Sequence, residues 1–374
     1  MLVILHNRVN PEFLELLKPY CKIKYIWEAF PFRKKNIIDF LEGDFDLAFY
    51  TISQAIVIGS WLLSRAGYRD TRVVLGAFQT EIFCAPHQGF RIHRRYIHWI
   101  IKSKISPESI IFGNTATKNH HSKKLNFNFD ASPVIRLFID LDKYKFKDRV
   151  NLPRTKIVSI GRLVSYKTYN FSMLTVIKNL KSAFFPLQWH IYGDGDLTER
   201  LNREIMHLNL ENSVFLHGPI NYSKFEDVLE DAFLFVGTGT SLLEAAACGV
   251  PALTAIEYCS DPLTYGNISN IKGIDMFEKN LNIPIYKLEE CIKKILTLPS
   301  AEYATLQRCD FNKSTEYSGG AIISKYIKVF EHTKNFGKSI NLSSYHLFIY
   351  FSSALIGEFI NTLNLLYQNR FRKL

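Results

Sequence analysis

The sequence lacks several features that would assign a class at once. Its 374 residues are 47% hydrophobic and 22% charged, close to globular averages, so neither a disordered chain nor a membrane bundle is implied. The opening MLVILHNRVN has too short an apolar run and no small-residue cleavage site, so a first β-strand is expected there rather than a signal peptide. Six cysteines (Cys21, Cys84, Cys248, Cys259, Cys291, Cys309) form neither C-x-x-C nor a framework spacing. That usage fits a reducing cytoplasm and gives no sign of a metal site. No G-x-G-x-x-G fingerprint with an acidic residue after it is present, which disfavours an NAD-dependent dehydrogenase. Repeats, low-complexity tracts and recognisable nucleic-acid-binding modules are also missing.

Basic charge is plentiful and unevenly placed. Residues 1–150 hold 23 Lys and Arg against 14 Asp and Glu, a net of +9 within the total of +11, whereas residues 151–340 are neutral. An anionic partner for the first half follows: a lipid surface, a lipid diphosphate or nucleic acid. The length predicts two domains, divided near the charged stretch 142–154 that ends in Pro153. They are taken as 1–150 and 151–340, with a C-terminal helix over about 345–374. That helix is interrupted by Glu358 and too polar to span a bilayer, so it is expected to pack back on the first domain.

From Lys156 onward, β-branched and aromatic runs alternate with amphipathic segments. KIVSI (156–160), LQWHIY (187–192), SVFLH (213–217), AFLFV (232–236) and PALTA (251–255) read as strands, with helices over 196–209 and 223–231. The first half repeats this more faintly at 2–6, 23–27, 47–51, 72–77, 109–113 and 133–137. Such alternation predicts an α/β fold with parallel sheets. Four of the strands in the second half end in small residues: Gly161; Gly193, Asp194 and Gly195; His217 and Gly218; and Thr238, Gly239, Thr240 and Ser241. Ligands of open α/β sheets sit beyond the carboxyl ends of strands, where glycine and helix N-termini admit phosphate. Each loop alone has an ordinary explanation. Ser241 and Glu244, for instance, have the spacing of a capping box, and Arg162 and Lys167 could be surface charges. Together they describe a cradle for a phosphate-bearing ligand.

The ordered set SIGRLVSYK, WHIYGDGDLTERL, VFLHG and LLEAAACGVPAL resembles the carboxy-terminal half of family 4 glycosyltransferases over about residues 156–256. The resemblance implies the GT-B fold, two Rossmann-like domains facing a cleft. The second domain would hold a nucleotide-sugar donor (UDP- or GDP-sugar) and the first an acceptor, with retention of configuration and no required metal or cofactor. By position, Arg162 and Lys167 match the cations on the donor diphosphate. Gly161, Gly193, Asp194, Gly195, His217 and Gly218 match the walls of the donor site, Thr238 to Ser241 the phosphate-binding amides, and Glu244 the ribose-binding acid. Two departures stand out. The glutamate that many members carry eight positions before Glu244 is Val236 here, which leaves the sugar contact to backbone, Thr238 or Thr240. The histidine expected after the fourth strand is replaced by Phe78 and Gln79, with Glu81 or His87 as substitutes.

The basic, aromatic segment 90–104 is read as a helix with Arg91, Arg94, Arg95, His98 and Lys102 on one face and Ile92, Tyr96, Trp99 and Ile100 on another. The sharper reading of the basic face is peripheral docking on an anionic membrane, to reach a glycan or lipid-linked glycan acceptor. The expectation is a metal-independent, membrane-associated hexosyltransferase of polysaccharide, lipopolysaccharide or capsule assembly at the inner face of the cytoplasmic membrane. A nucleotide-sugar epimerase and a non-catalytic nucleotide-binding protein of the same fold are the alternatives. No nucleic-acid partner is expected.

Overall fold

The computed structural model describes residues 1–4, 11–68, 70–79, 82–83, 92–183, 185–333, 340 and 342–353. The chain divides into two units, Met1–Arg136 with Ser324–Leu374, and Leu137–Ile323. The division therefore falls at 136/137, ahead of the expected 150/151. The stretch 142–154 belongs to the second unit, tied into it by Arg149 although most of its other charges are exposed. Arg149 is 2% exposed, and its guanidinium donates to the carbonyls of Leu229 (2.6 Å), Glu230 (2.7 Å) and Cys248 (3.3 Å).

In the first unit, β1 (Leu2–Ile4) pairs in parallel with β2 (Ile23–Tyr25), and β3 (Leu47–Tyr50), β4 (Arg72–Ala77) and β5 (Ile110–Phe112) form a separate parallel sheet in that order. Helices α1 (Pro11–Leu17), α2 (Lys34–Leu41), α3 (Ser53–Ala66), α4 (Ile92–Lys104) and α5 (Thr115–Leu125) accompany them. Ile56, Val57, Leu62, Leu75, Ile100, Ile101 and Phe112 lie in the core. The run 133–137 is not a strand; it makes one bridge, Phe112 to Val134. Chain from the C-terminal end returns to this core, where Ile340, Leu342 and Tyr350 are buried and Ser64 Oγ donates to the Ile340 carbonyl at 3.0 Å. Residues 344–353 are helical, and the rest of the expected C-terminal helix lies outside the described residues.

The second unit is built on five parallel strands, β6 (Lys156–Ile160), β7 (Gln188–Tyr192), β8 (Val214–Leu216), β9 (Ala232–Gly237) and β10 (Ala252–Thr254), in the order β10-β9-β6-β7-β8. All six residues of β9 are buried, as expected of a parallel strand covered on both faces. Around the sheet lie α6 (Tyr169–Ser182), α7 (Thr198–His207), α8 (Phe225–Val228), α9 (Thr240–Ala247), α10 (Leu288–Thr297) and α11 (Ser300–Thr315), and α12 (Gly319–His332) contains the second division. The α11 carboxylate of Asp310, fully buried, accepts from Ala252 N (2.8 Å), Asn267 Nδ2 (3.0 Å) and Ser269 N (3.1 Å), fixing β10. The residues leaving all five strands emerge at one edge.

Candidate donor site

Backbone hydrogen bonds lace the strand-end loops into one rim. Gly161 N donates to Tyr192 O (2.9 Å), Leu163 N to Asp194 O (2.7 Å), Gly193 N to Gly218 O (2.7 Å) and Ala255 N to Gly237 O (2.8 Å). Gly193 has φ +139°, and a Cβ there would run into the Gly161 carbonyl oxygen. The rim thus closes only with glycine at that position. Asp194 lends its carbonyl to this lacing while its side chain is exposed.

Lys167 sits in the turn before α6, its N–H bonded to Val164 O at 2.8 Å, and is 8% exposed. Its Nζ reaches back over Gly161, 2.5 Å from where a Cβ on that residue would lie. Burial and the nearby Arg162 guanidinium pull the ammonium down to about 8, against the attraction of Glu257. Arg162 is exposed and donates to Tyr166 Oη at 3.4 Å. The two cations share one corner of the rim, where the Arg162 guanidinium disfavours the charge on Lys167.

The capping-box alternative for Ser241 and Glu244 is not formed. The N-cap of α9 is Gly239, with no side-chain cap bond. Ser241 Oγ instead donates to Ile160 O (2.9 Å) and Thr238 O (3.3 Å), tying the helix start to β6. Glu244, 5% exposed, accepts a hydrogen bond from Tyr222 Oη, which is itself bonded to Tyr144 Oη. Burial raises the Glu244 carboxyl, and the two phenols and Lys143 pull it back. Thr238 is 2% exposed and its hydroxyl has no partner among the described residues, while Thr240 at the start of α9 is half-buried. At the β8 end, His217 stacks on Tyr192 (4.4 Å between ring centres) and on His190 (5.0 Å). His190 Nδ1 and His217 Nε2 share a hydrogen bond at 2.9 Å. Burial, with the Lys156 charge, lowers both rings, His190 to about 4, so the stack is neutral at pH 7.

The structure explains the Val236 departure. Val236 is fully buried in β9 and packs in the core of the second unit. Only Thr238 and Gly239 separate β9 from α9. Val236 therefore presents its side chain to the core and not to the sheet edge.

Sequence reasoning missed Glu257, three residues past β10 on the same edge, and the phenols of Tyr144 and Tyr222. An acid just past a strand end is a weaker local signal than a glycine there, yet it points to Glu257. The contact between Tyr222 and Glu244 joins separate segments and has no local signal.

In the first unit, Glu81, His87 and Arg91 lie outside the described residues. Phe78 packs against Phe49 and Tyr326, and Gln79 is exposed. On α4 the face assignments need two corrections. Trp99 is 45% exposed and lies with Arg95 and Lys102 on the solvent side, because positions four and seven apart share a helix face. His98 is not on the solvated face; its Nε2 donates to Phe83 O at 2.7 Å and burial lowers its pKa. Arg94 is half-buried. Among the described residues no helix is long and apolar enough to cross a membrane.

Residues 140–260, all within the second unit, match the family described as Glycosyl transferases group 1. A curated 2-deoxystreptamine N-acetyl-D-glucosaminyltransferase of Niallia circulans is 28% identical over 128 residues, 32% of this chain and 33% of that protein. The chain thus matches about a third of the length of that relative. HepE of Anabaena, solved with UDP and glucose, superposes with a TM-score of 0.61 at 15% identity, covering 86% of this chain and 89% of that one. TarM of S. aureus, solved as a mutant with fondaparinux, α-GlcNAc-glycerol and UDP, gives 0.57 at 19% identity over 79% of this chain and 58% of that one. The chain has the GT-B fold, and its residues 140–260 match the group 1 glycosyl transferases.

Proposed function

We infer that the protein is a retaining glycosyltransferase that takes a sugar from a nucleoside diphosphate donor. The observation that carries this reading is the Lys167 ammonium, buried over Gly161 at the end of the middle strand of a parallel sheet. As the glycosidic bond breaks, the departing diphosphate gains negative charge, and Lys167 and Arg162 are the fixed cations that stabilise it. The N-terminal amides of α9 and the Thr238 hydroxyl, in the loop after β9, add donors for phosphate oxygens. Glu244 takes the ribose hydroxyls, in place of the phenol that now donates to it. The His217 and Gly218 loop walls the nucleoside.

The acceptor hydroxyl attacks C1 from the face that the diphosphate leaves. One C–O bond to phosphate breaks, one C–O bond to the acceptor forms, and the acceptor proton passes to the departing phosphate oxygen. The UDP in the HepE and TarM structures supports a UDP-sugar. A lipid-linked glycan of surface polysaccharide assembly is the acceptor we favour, reached by peripheral docking at the cytoplasmic face of the membrane. The exposed Arg95, Trp99 and Lys102 on α4 support that docking.

Thermal-shift screening against UDP-, GDP- and ADP-sugars, followed by donor hydrolysis, tests the reading. One nucleotide class is expected to stabilise the protein and be turned over, in EDTA as well as without it. Lys167→Ala is expected to cost about 10²-fold in turnover. Binding without turnover would favour the non-catalytic alternative, and an inverted sugar released without acceptor the epimerase. For the membrane arm, flotation with anionic but not neutral vesicles is expected.

A further inference from the structure

β10 ends at the same edge as the other four strands, and the chain leaving it is stitched to the Lys167 turn. Tyr258 N donates to Tyr166 O at 2.7 Å, Thr168 Oγ1 to Cys259 O at 2.8 Å, and Glu257 N to Phe277 O at 2.8 Å. Tyr258 turns the chain here with φ +56°. These bonds hold Glu257 beside Lys167, within reach of its charge. Glu257 is half-buried, and no described residue makes a hydrogen bond or ion pair with its carboxylate. Glu278 close by is different in kind. It is 4% exposed, and its carboxylate accepts from the backbone amides of Met276 (3.0 Å) and Phe277 (3.2 Å), which binds its own loop together.

We propose that Glu257 is the carboxylate that receives the hydroxyls of the donor sugar, past the end of the strand beside the one that buries Val236. This rests on the donor reading above and deepens it. A nucleotide sugar is laid out in the order base, ribose, diphosphate, sugar. The sheet order presents the His217 loop at its β8 end, the Lys167 ammonium over the end of β6, and Glu257 beyond the end of β10. With the diphosphate on Lys167, the sugar bonded to it comes within reach of a carboxylate held beside that ammonium. β6 and β10 are two strand spacings apart, about 10 Å. A carboxylate suits that position because it accepts hydrogen bonds from two neighbouring hydroxyls at once. Burial and the Glu278 charge hold the Glu257 carboxyl up at about 7, with Lys167 drawing it down.

The test compares free nucleoside diphosphate with nucleotide sugar, by calorimetry on wild type, Glu257→Gln and Glu257→Ala. The pair used is the one among UDP, GDP and ADP and their hexose conjugates that stabilises the wild type most. Both variants are expected to bind the free diphosphate at least as tightly as wild type, since a negative charge beside Lys167 has gone, which also shows that they fold. Their affinity for the nucleotide sugar is expected to fall about 10–100-fold, as for losing hydrogen bonds to a charged group. Equal changes for the two ligands would mean that Glu257 acts only through Lys167, and no change for either would make it a bystander; both results overturn the proposal. A wild type that binds none of the pairs would remove the donor reading itself, a result distinct from either.

Discussion

Replacing Lys167 with methionine is expected to stabilise the ligand-free protein while removing its hold on the donor. The ammonium is buried, and its pKa falls from 10.5 to about 8, through burial first and Arg162 as well, with Glu257 opposing. That difference corresponds to about 3 kcal/mol by which the folded state disfavours the charged form. Methionine keeps an unbranched stem of similar length and fits the same slot without the charge. The folded pKa lies below the unfolded one, so between about pH 8 and 10.5 the unfolded chain binds more protons. Wild-type stability therefore rises with pH through that window, and the penalty is fully present below it. In urea unfolding at pH 7 the variant is expected to exceed wild type by about 1–3 kcal/mol, a gap that closes toward pH 10.5. Saturating nucleoside diphosphate reverses the order, because binding at about 1,000 times Kd adds about 4.1 kcal/mol to the wild type alone. For the same reason wild-type kcat/KM is expected to decline above about pH 8, where the free enzyme loses this charge. A variant less stable than wild type at pH 7, or a gap that does not change with pH, would refute the reasoning.

Gly193→Ala is expected to cost about 1–3 kcal/mol in urea unfolding, because φ is +139° and the added Cβ meets the Gly161 carbonyl. Arg149→Met is expected to cost about 3 kcal/mol or more, since the carbonyls of Leu229, Glu230 and Cys248 lose their shared donor. Donor turnover of that variant, measured below its melting point, is expected to be near normal. Glu244→Gln is expected to weaken binding of the ribonucleotide about 10–100-fold, while leaving binding of the 2′,3′-dideoxy nucleotide much less changed; calorimetry on both separates ribose recognition from a general loss of the site.

The parallel sheet of the second unit was legible because its strands are rich in β-branched and aromatic residues, and β9 is a fully buried, unbroken apolar run. KIVSI became β6 without a shift, and AFLFV became β9 extended by Gly237. The rim was legible for a related reason: a parallel sheet puts every strand exit on one edge, so small residues after four strands had to meet. The first unit was harder to read. Its runs are shorter and less apolar, β1 and β2 pair apart from β3 to β5, and the run 133–137 contributes one bridge. The stretch 142–154 misled because sequence cannot show that an arginine is buried against carbonyls contributed from 80 to 99 positions away.

The carboxylates of the site divide along the same line. Glu244 was visible as a residue but not in its setting, since the helix is capped at Gly239 and not at Ser241, which puts Glu244 beyond the capping-box position, where it meets Tyr222. Val236 was visible as a departure but not as a consequence of chain length. β9 runs through position 236 to Gly237, and a two-residue loop then starts α9, so the edge above β9 has backbone and a threonine hydroxyl to offer but no acid. An acid at that edge has to come from a neighbouring strand, and among the described residues β9 pairs with β6 and β10. The exit of β6 is filled by Gly161 and the Lys167 ammonium, which leaves the exit of β10, where Glu257 stands.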